Sequence, residues 1–185
     1  MKKIILLAFF LALSSCYSSQ FNSDFELMSN DIESGSIVKK DHIFNGFGCV
    51  GNNISPQLSW KNAPQNTKSF ALTVYDPDAP TGSGWWHWVV LNIPKHYDNL
   101  PRDFGGKEEF RFKNNIIQIR NDYGSHSFGG PCPPKGDKPH RYIFTLYALK
   151  TDKIMLNRFS SAAKAGFMIN SNIIDKASFV AKYGR

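Results

Sequence analysis

The sequence predicts a mainly β domain, arranged as a β-sandwich or as a barrel-like structure. Several short apolar segments have the length and residue types of β-strands, and turns rich in proline and glycine separate them. Only one segment has a clear helical pattern, so helices are expected to contribute little to the core. The chain contains no internal repeat, low-complexity segment or linker that would divide it into several domains.

The strands follow from their apolar patterns, taken along the chain. In residues 70–75 the side chains of Phe70, Leu72 and Val74 alternate with those of Ala71, Thr73 and Tyr75, which indicates a strand. Residues 86–93 and 142–149 are apolar on both faces, as is typical of central strands covered on both sides. We predict shorter strands at 25–28, 116–119 and 178–183. The turns between them are marked by Pro56, Pro64, Pro77, Pro80, Pro94 and Pro101.

One helix is predicted over residues 160–173, with Ser160 as its N-cap. Its inward face would be formed by Ala162, Ala163, Phe167 and Ile174. The charged, glycine-containing stretch 102–115 is expected to be a surface loop.

The N-terminus has the pattern of an export signal. A basic start precedes ten apolar residues at 4–13, too few to span a bilayer permanently. Leu13-Ser-Ser-Cys16 resembles a bacterial lipobox, in which the signal is cut before the cysteine and the cysteine receives lipid. We therefore predict a signal peptide at 1–15, a lipidated tether at 16–23 and one domain at 24–185. The alternative is an ordinary secretory signal with an incidental cysteine.

Several acyl chains on Cys16 would anchor the mature protein stably, at about 0.8 kcal/mol for each buried methylene. By resemblance to the bacterial sorting rule, Tyr17 lacks the aspartate of inner-membrane retention. The expected location is therefore the outer membrane, facing the periplasm. A soluble periplasmic or secreted protein is the alternative.

The charge of the chain is positive but diffuse. It has 22 Lys and Arg against 15 Asp and Glu, a net charge of +7. No run of five or six basic residues occurs, so nucleic-acid binding through a basic stripe is not expected. A local preference for anionic ligands or anionic lipid surfaces remains compatible with this balance.

Two cysteines remain in the mature chain, Cys49 and Cys132, and both lie in glycine-rich loops. An exported protein meets an oxidising compartment, so we predict a disulfide between them. Two buried free thiols are the alternative. Neither cysteine has the sequence context of an activated nucleophile.

Most of the candidate chemistry lies in two short segments. The first is Asp76-Pro-Asp-Ala-Pro80 followed by Trp85-Trp-His-Trp88, and the second is Pro133-Pro-Lys-Gly136 followed by His140-Arg-Tyr142. Each combines rigid turn residues with a histidine and aromatic side chains beside an apolar run. Such segments build a rigid, partly apolar pocket with a few fixed polar groups.

The two segments, in this order and spacing, resemble the signature blocks of the phosphatidylethanolamine-binding protein (PEBP) family, and within it the bacterial, Raf-kinase-inhibitor-like branch. The likeness runs from about residue 25 to 183 and includes residues 53–60 and 166–168. It implies an antiparallel β-sandwich with a few short helices. It also implies a pocket for phosphate, phosphonate or phospholipid-headgroup anions, and no cofactor.

Carried over by motif, the pocket would be built from Asp76, His87, His140 and Tyr142, with walls from Trp85, Pro133 and Pro134. Physical chemistry supports this set. Two imidazoles and a phenol can donate hydrogen bonds to a phosphoryl group. Asp76 can hold one imidazole in a single tautomer and favour its charged form. A tryptophan face attracts an ammonium group by about 0.5–2 kcal/mol.

The chain departs from the family pattern at two places. Trp86 stands where some relatives have a second histidine, so the pocket has fewer polar groups. The loop at 81–84 is short, whereas eukaryotic members have a longer one. We therefore do not transfer kinase inhibition to this chain.

Other polar residues have a simpler interpretation. We expect Asp78 to stabilise a turn, Lys135 and Lys138 to be solvated, and at least one tryptophan of the cluster to be core. His42, His96 and His126 are expected at the surface. His87 as a core residue, Asp76 as a turn cap and Tyr142 as the start of a core strand are the alternatives for the site itself.

Other kinds of site and function have weaker support in the sequence. A metal site formed by Asp76, Asp78, His87 and His140 lacks a tight ligand pattern. A hydrolase would need a serine on a strained turn, and no Gly-x-Ser-x-Gly occurs. We therefore predict a binding protein rather than an enzyme. A protease or signalling inhibitor that binds a protein partner through the pocket rim is the first alternative, and a hydrolase that uses His87 and His140 is a weaker one.

Overall fold

A five-stranded antiparallel sheet forms the centre of the molecule, in the order β10-β9-β5-β6-β8. The computed structural model describes residues 24–106 and 115–185. Within these ranges the strands are β1 (Glu26–Met28), β2 (Asn45–Gly46), β3 (Cys49–Val50), β4 (Leu58–Lys61), β5 (Ser69–Asp76), β6 (Trp85–Pro94), β7 (Asn99–Leu100), β8 (Ile117–Gln118), β9 (His140–Leu149) and β10 (Ile173–Tyr183). A 3-10 turn spans Lys40–His42 and the helix α1 spans Ala162–Asn170.

The central sheet is covered on both faces, which explains why β5, β6 and β9 are apolar on both sides. On one face a three-stranded sheet, β1-β4-β7, contributes Leu27, Leu58 and Leu100 to a core shared with Leu72 and Val90. On the other face α1 packs against side chains of opposite parity, including Ala71 and Val89. This arrangement confirms the predicted β-sandwich.

The helix is shorter than predicted, and of its predicted inward face only Ala162 is buried within it. Its N-cap is Ser161 rather than Ser160, because the Ser161 Oγ accepts a hydrogen bond from the Lys164 N–H at 3.2 Å. The buried residues are Ala162, Ala165 and Ile169. Of the predicted inward face, Ala163 and Phe167 point to solvent, with Phe167 70% exposed, and Ile174 lies in β10.

Two other expectations are wrong in detail. The last strand begins at Ile173 rather than at residue 178. The prediction missed its first residues because the buried Asp175 interrupts the apolar pattern there. The loop beginning at Arg102 is not purely superficial, because Phe104 is buried and Arg102 pairs with Asp31 and Asp41. Residues 107–114 of that loop lie outside the described residues.

The predicted signal peptide at 1–15, Cys16 and the tether at 16–23 also lie outside the described residues. Among the helices that are described, none has both the length and the apolar character needed to cross a membrane.

The two faces of α1 give a direct test of the packing. Replacing Ile169 with alanine removes a buried side chain and should lower the free energy of unfolding by about 2–4 kcal/mol. The matched change Phe167→Ala removes an exposed ring and should change it by less than about 0.5 kcal/mol. Urea denaturation of both variants measures the difference. Equal losses in the two variants would show that the helix packs through another face.

Candidate functional site

The sheet topology brings the two polar segments to one edge. Asp76 ends β5, and the strands on either side of β5 run antiparallel to it, so both begin at this edge. Asp76 pairs with Trp85 at the start of β6, and Tyr75 pairs with Ile143 near the start of β9. The segments are therefore neighbours because β5 lies between β6 and β9.

A cavity of about 210 Å³ opens at this edge. All seven predicted site residues line it: Asp76, Trp85, His87, Pro133, Pro134, His140 and Tyr142. The remaining lining residues are Phe47, Ala79, Pro80, Thr81, Tyr123 and Cys132. The structure thus places the predicted residues together, while their role in binding stays a prediction.

Asp76 and His140 form a buried pair in the cavity. The His140 Nδ1 lies 2.8 Å from the Asp76 Oδ2, and both side chains are about 95% buried or more. The other carboxylate oxygen of Asp76 accepts the backbone N–H of Asp78 at 2.8 Å. Both oxygens are thus occupied, and His140 keeps its proton on Nδ1. Its Nε2 lies 3.4 Å from the Asp137 Oδ2.

His87 behaves differently from His140. Its Nδ1 donates to the Gly129 carbonyl at 2.7 Å, and the ring is buried. Burial lowers the pKa of His87 to about 4, although the Gly129 carbonyl and the Asp76 charge act in the opposite direction. His87 is therefore neutral at pH 7, and its Nε2 is a hydrogen-bond acceptor. That both imidazoles donate hydrogen bonds to a ligand stays a prediction, and for His87 it would require the uptake of a second proton.

The cavity also contains hydrogen-bond donors that are not used by the protein. Tyr142 is 1% exposed, and its hydroxyl has no hydrogen-bond partner among the residues that the structure describes. The indole N–H of Trp85 is also buried and without such a partner there. Burial raises the pKa of the Tyr142 phenol, so it remains a donor at all physiological pH values. Unused buried donors are unfavourable by about 1–3 kcal/mol each, which a ligand can relieve.

Aromatic rings fix the orientation of these groups. The His87 ring meets Tyr142 edge-on, with centroids 5.1 Å apart, and meets Tyr123 in the same way at 5.5 Å. The Tyr123 hydroxyl donates to the Gly130 carbonyl at 2.9 Å. Tyr123 was missed by sequence reasoning because it lies between the two segments and carries no motif.

The rim of the cavity is cross-linked in two ways. A disulfide joins Cys49 to Cys132, which confirms the predicted pairing. The Arg185 guanidinium donates to the carbonyls of Pro133 at 2.6 Å and Phe47 at 3.1 Å. Phe47 is 69% exposed and forms part of the rim. The predicted disulfide could have indicated Phe47, since a residue so close to Cys49 must lie near the loop that holds Cys132.

Most of the residues that were not expected to belong to the site lie outside the cavity. Asp78 lies outside the cavity and accepts hydrogen bonds from the backbone N–H, the Nε and an Nη of Arg141, and these bonds lower its pKa to about 2. Lys135 and Lys138 are exposed. Within the cluster of Trp85, Trp86 and Trp88, Trp88 is a core residue, as expected of at least one of them.

Of the three histidines that were expected at the surface, one is exposed. His96 is exposed, whereas His42 is buried with its Nδ1 on the Ile54 carbonyl at 2.7 Å. His126 is half-buried against Phe159. In residues 24–106 and 115–185 no group of three or more potential metal ligands lies close enough to hold an ion.

The fold and the site define a β-sandwich protein with a small, aromatic-walled pocket at one edge of its central sheet. The chain belongs to the phosphatidylethanolamine-binding protein family, whose model matches residues 29–184. This confirms the resemblance seen in the two motifs.

Similar proteins support the assignment over almost the whole domain. The UPF0098 protein YbcL of Escherichia coli is 52% identical over 159 residues, which are 86% of this chain and 87% of YbcL. The YbcL crystal structure, titled as a new member of the mammalian PEBP family, has a TM-score of 0.85 and covers 88% of this chain and 99% of that one. The E. coli protein YbhB is 44% identical over 158 residues, 85% of this chain and 99% of YbhB. A PEBP homologue from Chlamydia trachomatis, CT736, has a TM-score of 0.72 at 28% identity and covers 89% and 99% of the two chains.

The depressed pKa of His87 predicts a pH dependence of stability. The unfolded chain protonates this histidine near pH 6.5, whereas the folded chain does so only near pH 4. The contribution of His87 to the free energy of unfolding is therefore complete above pH 6.5. It is lost as the pH falls from 6.5 towards 4, by about 3 kcal/mol in total. Urea denaturation across this range measures it.

The matched variant is His87→Asn, whose amide can donate to the Gly129 carbonyl but does not titrate. The difference in unfolding free energy between the wild type and this variant should decrease by about 3 kcal/mol between pH 7 and pH 4. A constant difference over that range would mean that folding does not change the pKa of His87.

Proposed function

We propose that this chain is an exported, lipid-anchored binding protein whose pocket holds a phosphate group carrying a single negative charge. The group is a phosphate monoester, either of a small phosphorylated compound or of a free phospholipid-headgroup compound such as phosphoethanolamine. The observation that carries the proposal is the pairing of an unused buried donor, the Tyr142 hydroxyl, with the neutral His87 ring beside it.

The chemistry of the two side chains complements a singly protonated phosphate. The Tyr142 hydroxyl donates to an unprotonated phosphate oxygen, while the P–OH group donates to the His87 Nε2. A dianion would place an oxygen lone pair against the lone pair of Nε2 unless His87 first took up a proton. The buried Asp76 carboxylate disfavours a second negative charge as well. His140 offsets part of that charge through its hydrogen bond with Asp76.

The size and walls of the cavity support a headgroup rather than a whole lipid. A volume of about 210 Å³ is below the range typical of drug-sized ligands. Trp85, Phe47 and Pro133 provide apolar surface, and a tryptophan face attracts an ammonium group by about 0.5–2 kcal/mol. The family's description names phosphatidylethanolamine, and the free headgroup compound of that lipid, phosphoethanolamine, combines an ammonium group with a phosphate monoester.

Binding can be tested by NMR titration of the imidazole nitrogens with phosphoethanolamine. We expect the His87 and His140 signals to shift at millimolar ligand, with weaker binding as the pH rises above about 6, where phosphate esters lose their second proton. Tyr142→Phe should weaken binding by about tenfold, the equivalent of one hydrogen bond. Tyr147→Phe is the control, since Tyr147 lies on the same strand but packs against the other core. Unchanged histidine signals at millimolar ligand would exclude the anion pocket.

Export and lipid anchoring are proposed from the sequence of residues 1–16. When the whole chain is expressed, labelled palmitate should appear in its mature form in the outer-membrane fraction, because Cys16 ends a lipobox-like sequence. Cys16→Ala should abolish the label, whereas the control Cys49→Ser/Cys132→Ser should retain it. A wild-type protein without label, or a labelled Cys16→Ala variant, would contradict lipidation.

A further inference from the structure

A second concave surface lies directly beside the pocket. This groove has a volume of about 790 Å³ and is lined by Asp78, by the segment 136–141 and by Lys182. His140 lines both the pocket and the groove. Its Nδ1 faces Asp76 and its Nε2 faces Asp137, so this one ring separates the two spaces.

The groove brings basic side chains close together. Arg141 on β9 and Lys182 on β10 are directly opposite in the strand register. Like charges at opposite positions of an antiparallel pair are destabilising. Lys138 lies on the same groove, three residues before Arg141. The arrangement therefore places three basic side chains on one groove, which shares the His140 side chain with the pocket.

The two acidic residues of the groove have their nearest described partners elsewhere than on the two lysines. Asp78 is held by three hydrogen bonds from Arg141. Asp137 faces the His140 Nε2 at 3.4 Å. Within the described ranges no carboxylate forms an ion pair with Lys138 or Lys182. Two ammonium groups are thus available to an anion that lies in the groove.

We infer that the groove is a second subsite, which binds a second anionic group of an extended small ligand through Lys138 and Lys182. This inference rests on the proposed function, in which the first phosphate lies in the pocket. The ligand class is then a compound with two phosphate groups, or with one phosphate and one carboxylate, joined by a spacer that passes His140. The inner site selects the singly charged group, and the outer site attracts the more highly charged end.

Alkane bisphosphates of increasing length serve as probes, with ethyl phosphate as the reference ligand. Calorimetry should show that one spacer length binds at least tenfold more tightly than ethyl phosphate, because the second phosphate reaches the lysines. Lys138→Ala/Lys182→Ala should remove this advantage and leave the affinity for ethyl phosphate unchanged. The control Lys150→Ala/Lys176→Ala removes the same charge from exposed positions outside the groove and should retain the advantage.

The outcomes distinguish a failure of the groove inference from a failure of the proposed function. If ethyl phosphate binds and no bisphosphate binds more tightly, the groove is not a subsite although the pocket is. The same conclusion follows if both double variants lose the advantage equally, since general electrostatic attraction would then explain it. If neither ethyl phosphate nor any bisphosphate binds, the proposed function fails and the groove inference fails with it.

Discussion

The buried carboxylate of Asp76 constrains the whole site. A charge in the protein interior is tolerated only when hydrogen bonds replace its lost hydration. Asp76 obtains these bonds from the Asp78 N–H on its own turn and from His140 at the start of β9. The turn after β5, the start of β9 and the tautomer of His140 are therefore fixed together. Removing one partner of a buried pair typically costs about 3–5 kcal/mol, so this geometry is held firmly.

Rigidity extends from the base of the pocket to its rim. The hairpin β2–β3 and the loop that begins at Gly129 have little regular structure of their own, yet both are fixed by the Cys49–Cys132 disulfide and by the Arg185 guanidinium. A rim that is already ordered loses little conformational entropy when a ligand binds. The sandwich supplies the base of the site, and these two cross-links supply its walls.

The central strands and the helix could be predicted from the sequence because their signals are local, and the seven site residues because the two segments resemble the motifs of a known family. An apolar run on both faces indicates a covered strand, whereas the meeting of the two segments depends on β5 lying between β6 and β9. The short strands β2, β3, β4 and β7 carry no such signal, since their pairing depends on distant partners. The buried face of α1 was misassigned because Phe167 is apolar but exposed. His42 was misassigned because its burial depends on the Ile54 carbonyl.

Residue types alone also could not assign the chemistry of the site. His87 and His140 are the same residue, yet one hydrogen bonds to a carbonyl and the other to a carboxylate. Burial then makes His87 neutral, so a pocket that looks like a cluster of cationic donors contains an acceptor at its base. The positive charge lies outside, on Lys138 and Lys182 of the adjoining groove. In the proposed function, the neutral base of the pocket accepts a phosphate monoester only in its singly protonated form, since the P–OH group donates to the His87 Nε2. The proposals therefore place selection by charge state at the pocket base, and attraction of a second anionic group at the lysines of the groove.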